Sequence, residues 1–181
     1  KTKFMHMDAK KLNFADNEFD LIIMTDVVEH LYPEELELVF KEIRRVLRPN
    51  GKVIVHTAPN KLFNDFFYKF YSYPVGSLLT KLWNFITNSN YANIASPAAL
   101  RTDSHLIMHI NEPTYFSLSS LFKRYDLEGT LESSNVTARK PFYGIKDIIF
   151  NFLVFFDPIS RHYPFNIFCG SDFVSILKNK K

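Results

Sequence analysis

A glycine-rich phosphate turn is missing from this sequence. It holds only 5 glycines and no G-x-G-x-x-G run, so nothing in it reads as the turn that brings a backbone against a dinucleotide pyrophosphate. A single cysteine, Cys169, excludes an internal disulfide and suits a reducing, cytoplasmic compartment. No apolar run reaches the roughly 18 residues that cross a bilayer, and the first residues carry no signal-peptide pattern. The formal charge is only +3, and no dense basic stretch interleaves with stacking aromatics early in the chain. Nucleic acid is therefore not expected as a partner. Repeats and low-complexity tracts are also missing.

Aromatic residues, by contrast, are plentiful: 19 Phe and 9 Tyr in 181 residues, clustered late. The length reads as one domain with a real core. The organising stretch is Phe19–Asn60. Phe19–Thr25 is a short apolar run of the kind buried in a parallel sheet. Pro33, Glu34 and Glu35 suit the first turn of a helix. Leu36, Phe40, Ile43 and Leu47 then form one apolar stripe. Lys41, Arg44, Arg45 and Arg48 crowd the helix end, Pro49-Asn50-Gly51 turns the chain, and Val53–Val55 begins a second strand. This strand–helix–strand unit is a βαβ crossover.

The pieces FDLIIMTDVVEHL, IRRVLRPNG and VIVHTAPN, in this order and spacing, resemble the second half of a class I S-adenosylmethionine-dependent methyltransferase of the small-molecule type. Asn50 stands where that family usually has glycine. The resemblance spans Phe4 to about Asn60, returning more faintly near His109–Tyr125 and at the C-terminus. It implies an α/β, Rossmann-like sheet, mixed but mostly parallel, with its last strand antiparallel, in the order three-two-one-four-five-seven-six. Lys3–Met7 would be the third strand. The first two strands, with the glycine-rich turn and the ribose-binding acid, would then be absent, and residues 1–181 a single, partial methyltransferase domain. Two aromatic-rich helical insertions, about 61–95 and 141–168, would interrupt it.

The resemblance implies S-adenosylmethionine as cofactor. Asp8 would accept a hydrogen bond from the adenine amine, and the backbone N–H of Ala9 would meet a ring nitrogen; a plain turn aspartate is the other reading of Asp8. Leu12, Phe14 and Phe19 would help wall the adenine. Thr25 and Asp26 would line the methionine end and the transfer channel. Independently of the family, Asp8, Thr25–Asp26 and Thr57–Asn60 all leave the carboxyl ends of strands, and so gather at the ligand-binding edge of an open α/β sheet. Methyl transfer is an in-line displacement that mainly needs alignment and exclusion of water. His30 is the candidate base, or else a loop-tying histidine. Asp26, Glu29 and His30 stand at helical spacing on one face, yet form a small ligand set, and no metal is assigned. Asp20 reads as structural.

Leu62, Phe63, Phe66, Phe67, Phe70 and Tyr71 form one helical stripe, which Pro74 and Gly76 would break. Leu78, Leu79, Leu82, Trp83 and Ile86 form a second. A helical hairpin lid is one reading, and a membrane-facing or lipid-binding surface the other. Asn88–Ala99 reads as loop. His105 and His109 are candidate acceptor contacts, with exposed loop histidines as the alternative. Thr114–Tyr125 is a helix with Phe116, Leu118, Leu121 and Phe122 inward. Leu127–Thr137 and Phe173–Leu177 are strands. The favoured function is methyl transfer to a small or lipid-linked acceptor, such as a saccharide or quinone precursor. A non-catalytic scaffold of the same fold is the alternative, and a nicotinamide oxidoreductase a third.

Overall fold

The computed structural model describes residues 2–136 and 144–180, without the side chains of 104–106. Thr137 and the first residues of the second expected insertion lie outside the described residues. Four strands form one sheet: β1 (Phe19–Thr25), β2 (Leu47–Thr57), β3 (Leu127–Ser134) and β4 (Asp172–Asn179), in the order β1-β2-β4-β3. β1 and β2 are parallel, and β4 is antiparallel to both of its neighbours. Three strands therefore run one way and the last the other, in the order expected of the final four strands.

Lys3–Met7 is not a strand. Residues 2–7 make no ladder, and Phe4 is almost wholly exposed. A strand needs partners for its alternate N–H and C=O groups, and the expected sheet order puts two strands between this segment and β1. What holds the N-terminal chain is a polar clasp onto α1 (Pro33–Val46). Arg45 donates to the carbonyls of Leu12 and Phe14 and to Asp16, while Glu42 accepts from the Leu12 N–H at 2.8 Å. Arg45 holds the Glu42 carboxyl well below its ordinary 4.5, at about 2. That depressed value means the clasp stabilises fully above pH 4.5 and is lost as pH falls through about 2. Amide exchange at Leu12, corrected for intrinsic rate, should keep its protection from neutral pH down to that upper bound and lose it below.

α1 ends at Val46, earlier than the apolar stripe suggests, because Leu47 already pairs with Phe19. The ladder then jumps from Phe19–Leu47 to Leu21–Lys52, and the extra residues bulge out at Pro49-Asn50-Gly51. Asn50 carries the left-handed turn, with φ 63°. Asparagine tolerates that region far better than most residues, which accounts for its standing where the family uses glycine.

One face of the sheet is covered by α1 and by α5 (Tyr115–Arg124), the latter capped at Thr114 by a reciprocal bond with Ser117. Phe40, Val46, Leu47, Val53, Leu118, Phe122, Leu127 and Phe173 fill this core. Phe116 points outward, contrary to expectation: Leu118, Leu121 and Phe122 share the inner face, Tyr115 packs against the core one turn earlier, and Phe116 is 60% exposed. The other face of the sheet leaves Ile23 and Ile176 half exposed, in one row across the strands with Ile54.

The expected hairpin in the first insertion is one continuous rod. A π-helical segment, Phe63–Ser72, runs directly into α2 (Tyr73–Thr87). Pro74 falls in the first turn of α2, where the bonding changes from the π to the α pattern, so its missing N–H breaks nothing. Gly76 is a packing residue: a Cβ there would meet Ile94 Cδ1 at 2.5 Å and Val154 Cγ1 at 3.3 Å. The wide π turn also splits the aromatic stripe. Phe63, Phe67 and Tyr68 are buried while Phe66 and Phe70 face outward. The buried three join Val154 and Phe155 of α6 (Ile145–Phe155) and Cys169 in a second core, so the two insertions pack on each other. Two short helices, α3 (Pro97–Leu100), which begins within the end of the expected loop Asn88–Ala99, and α4 (Asp103–Met108) beyond it, lead back to α5. Among the described residues, no helix is long and apolar enough to cross a membrane.

Candidate active site

The parallel strands β1 and β2 end together, and β4 starts beside them, so three chain segments meet at one edge of the sheet. Thr25 is exposed at the end of β1. Asp26 follows in a left-handed conformation, φ 54°, and its N–H donates to the His56 carbonyl at 3.1 Å. That turn interrupts the helical spacing. The single 3-10 turn begins only at Val28, and Asp26 does not share a face with Glu29 and His30 as expected.

Asp26 faces His56 instead. Its Oδ1 lies 2.8 Å from His56 Nδ1, while His56 Nε2 lies 3.4 Å from Asp172 Oδ2. An ionised carboxylate only accepts, so whichever ring nitrogen of His56 carries the hydrogen donates to the carboxylate it faces. Asp172 is fully buried and also accepts from the hydroxyls of Ser134 and Ser171. The result is a chain of polar groups running from the interior to an exposed carboxylate at the edge.

Behind the 3-10 turn, Glu29 is 2% exposed and accepts from the Thr57 hydroxyl at 2.8 Å. Asn111 pins the incoming loop, its N–H donating to the Glu29 carbonyl and its side chain to that of Val28. His30 Nδ1 lies 2.7 Å from the Met108 carbonyl oxygen. A carbonyl can only accept, so Nδ1 carries the hydrogen and, in the neutral ring, Nε2 keeps its lone pair. The His109 ring sits 5.1 Å from that of His30, centroid to centroid. One ligand atom each from Glu29, His30 and His109 lies within 4.8 Å of the others. No metal is expected from the sequence, yet this set could hold a divalent cation. Two imidazoles and a carboxylate suit zinc-like ions, and His30 already has the backbone hydrogen bond that orients metal-bound histidines.

The sequence-derived residues thus divide. Thr25, Asp26, His30 and His109 come to the edge. Asp8 opens a turn with Ala9, its carboxylate accepting from the Lys10 N–H at 2.9 Å, and Lys10 ties that turn to Glu35 of α1. His105 lies on α4, and its side chain is outside the described residues. His56 and Asp172 are the residues that sequence reasoning passed over, while Thr57 stands at the edge where it was expected. His56 and Thr57 sit inside the VIVHTAPN piece itself, at the end of a strand that points into the site.

These groups fit part of S-adenosylmethionine. The Asp26 side chain is 60% exposed and the Asp8 side chain 59%, so each keeps carboxylate acceptor capacity of the kind a cationic or amine group needs. Among the described residues nothing offers the glycine-rich turn or the ribose acid.

Residues 1–55 match the family model described as a methyltransferase domain. Over 116 residues, 63% of this chain and 44% of the relative, the sequence is 28% identical to the ubiquinone/menaquinone biosynthesis C-methyltransferase of Stutzerimonas stutzeri. It is 43% identical over 51 residues, 28% of this chain, to a sterol 24-C-methyltransferase of Gibberella zeae, of which those residues cover 13%. The chain spans less than half the length of the curated relatives it matches. Among solved structures, a SAM-dependent methyltransferase from Methanosarcina mazei is similar over 99% of this chain and 68% of its own, with TM-score 0.52 and 18% identity. One from Archaeoglobus fulgidus is similar over 96% and 66%, with TM-score 0.50 and 14% identity. The motifs, the strand order and the matched domain agree: residues 1–55 are similar to a methyltransferase domain, and the sheet has the fold of the S-adenosylmethionine-dependent methyltransferases of known structure.

Proposed function

We propose that the chain forms the acceptor-facing part of a cytoplasmic enzyme that methylates a small or lipid-linked molecule, with a quinone or saccharide precursor as the substrate class. The observation that carries this is the meeting of Glu29, His30 and His109 at the carboxyl edge, with an imidazole lone pair directed by the Met108 carbonyl. S-adenosylmethionine, when bound, supplies a methyl group on a cationic sulfur that leaves as a neutral thioether. Asp26 would steady that cationic end, fixed in direction by His56. His30 Nε2 would take the proton of an acceptor hydroxyl or an acidic C–H as the methyl arrives. The Asn111-anchored loop would close over the edge and limit water. Two relatives are named for quinone biosynthesis and for sterol methylation, which supports an acceptor of that class.

Calorimetric titration of the full-length protein with S-adenosylmethionine is the test. Asp8→Ala should weaken binding by about 1–3 kcal/mol, the cost of an unpaired polar partner, and leave the melting temperature without ligand nearly unchanged. Equal affinity for both forms would remove Asp8 from the site. No saturable binding by the wild type would favour the non-catalytic scaffold.

A further inference from the structure

The outward face of α2 serves no interaction described so far. Gly76 and Thr80 face the second core, and the opposite side of the helix presents Leu78, Leu82, Phe85 and Ile86. Phe85 is 87% and Ile86 75% exposed. Phe66 and Phe70 continue the exposed apolar surface along the π-helical segment. Apolar groups displayed this densely are uncommon on a free surface.

Charge identifies the occupant. Between Asp65 and Asp103 the sequence contains no carboxylate, while Lys69 and Lys81 flank the apolar face. Asp65 itself turns away to Lys61 and Arg101. Lys69 lies 5.3 Å from the centre of the Phe70 ring. Beside this rod, α6 presents Ile148, Ile149 and Phe152 outward, and Lys146 lies 5.1 Å from the centre of the Tyr91 ring. Trp83, 45% exposed, stands at the same end as Phe85 and Ile86. Lysines bordering an aromatic, acid-free helical face match a bilayer interface with anionic headgroups, where apolar groups enter the acyl boundary and ammonium groups stay at the phosphates. A protein partner or a second copy gives no reason for the long gap in carboxylates.

We infer that this face of α2, with the outer side of the π-helical segment, docks the protein on an anionic membrane surface without crossing it. The docking does not depend on methyl transfer, although it would bring the edge of the sheet to a lipid-linked acceptor.

The experiment is vesicle flotation of the full-length protein with phosphatidylcholine alone and with phosphatidylglycerol added. The wild type should float with the anionic vesicles and release as salt is raised. Phe85→Asp with Ile86→Asp, and separately Lys69→Glu with Lys81→Glu, should each cut the bound fraction by about tenfold. Both should keep the wild-type melting curve, since these side chains are exposed. Phe116→Asp, at an exposed position on α5, should float as the wild type does. The inference falls if the wild type stays soluble with both vesicle types, or if the Phe85/Ile86 variant floats unchanged. It falls equally if that variant only abolishes concentration-dependent self-association, which would make the face a contact between copies. Cofactor titration reads the methyltransferase proposal separately.

Discussion

Asp172→Ala should lower the unfolding free energy by about 3–5 kcal/mol, the usual loss when one member of a buried charged network is removed. Asp172 has no exposed surface, and three groups depend on it: His56 Nε2 and the hydroxyls of Ser134 and Ser171. Alanine removes the acceptor of His56 Nε2 and of the Ser134 hydroxyl, and leaves the Ser171 hydroxyl only the Ser134 carbonyl at 3.3 Å. It also loosens the joint between β3 and β4, because Ser134 and Asp172 face each other across that ladder. Asp172→Asn keeps one acceptor oxygen and should lose about half as much. Urea unfolding monitored by Trp83 fluorescence would read both. Loss of less than about 1 kcal/mol for the alanine variant would show that the network adds little beyond packing.

Phe40→Ala should be comparably severe, at about 3–5 kcal/mol, through a cavity rather than a lost charge network. Phe40 is completely buried on α1, with the Phe122 ring 5.6 Å and the Tyr125 ring 6.3 Å away, centre to centre. Its partners are held independently: Tyr125 donates from its hydroxyl to the Glu37 carbonyl, and Leu118 and Leu121 are already against the sheet. They cannot fold inward to fill the gap. Phe40→Leu, which keeps most of the volume, should cost about 1 kcal/mol. Parallel thermal melts separate the two cases, and equal melting temperatures for Phe40→Ala and wild type would mean that the α1–α5 contact is soft.

Much of this arrangement was legible in the chain because its signals are local. The apolar run of β1, the stripe and proline start of α1, and the turn at Pro49-Asn50-Gly51 depend on neighbours within a few residues. The misreadings share a non-local cause. Lys3–Met7 has a strand's composition, but a strand exists only where a ladder partner lies, and none of the described strands lies beside it. Pro74 and Gly76 look like breakers in sequence; a π turn absorbs the first, and the approach of Val154 from α6 requires the second. In the site, Asp26 has the right spacing to join Glu29 and His30, and one left-handed residue turns it toward His56. The contact between His56 and Asp172 joins positions 116 residues apart, beyond the reach of any spacing argument. His30 and His109 were each picked out singly. Their meeting depends on Asn111, whose backbone bond to Glu29 brings the second histidine to the first.

The outer margin of β1 has a consequence for handling the protein. Among the described strands β1 pairs on one side only, and on the sheet's uncovered side Leu21 and Ile23 are half exposed. An edge of that kind is a template for another extended chain, and nothing along Phe19–Thr25 guards it: no lysine, no proline, and one acid, Asp20, already engaged by Arg48. Residues 1–181 held alone at high concentration would therefore recruit one another edge to edge, building longer sheets while each copy kept its native core. For this polypeptide, precipitation would begin from a folded molecule and would answer to dilution or to a lysine at Ile23 rather than to any gain in stability.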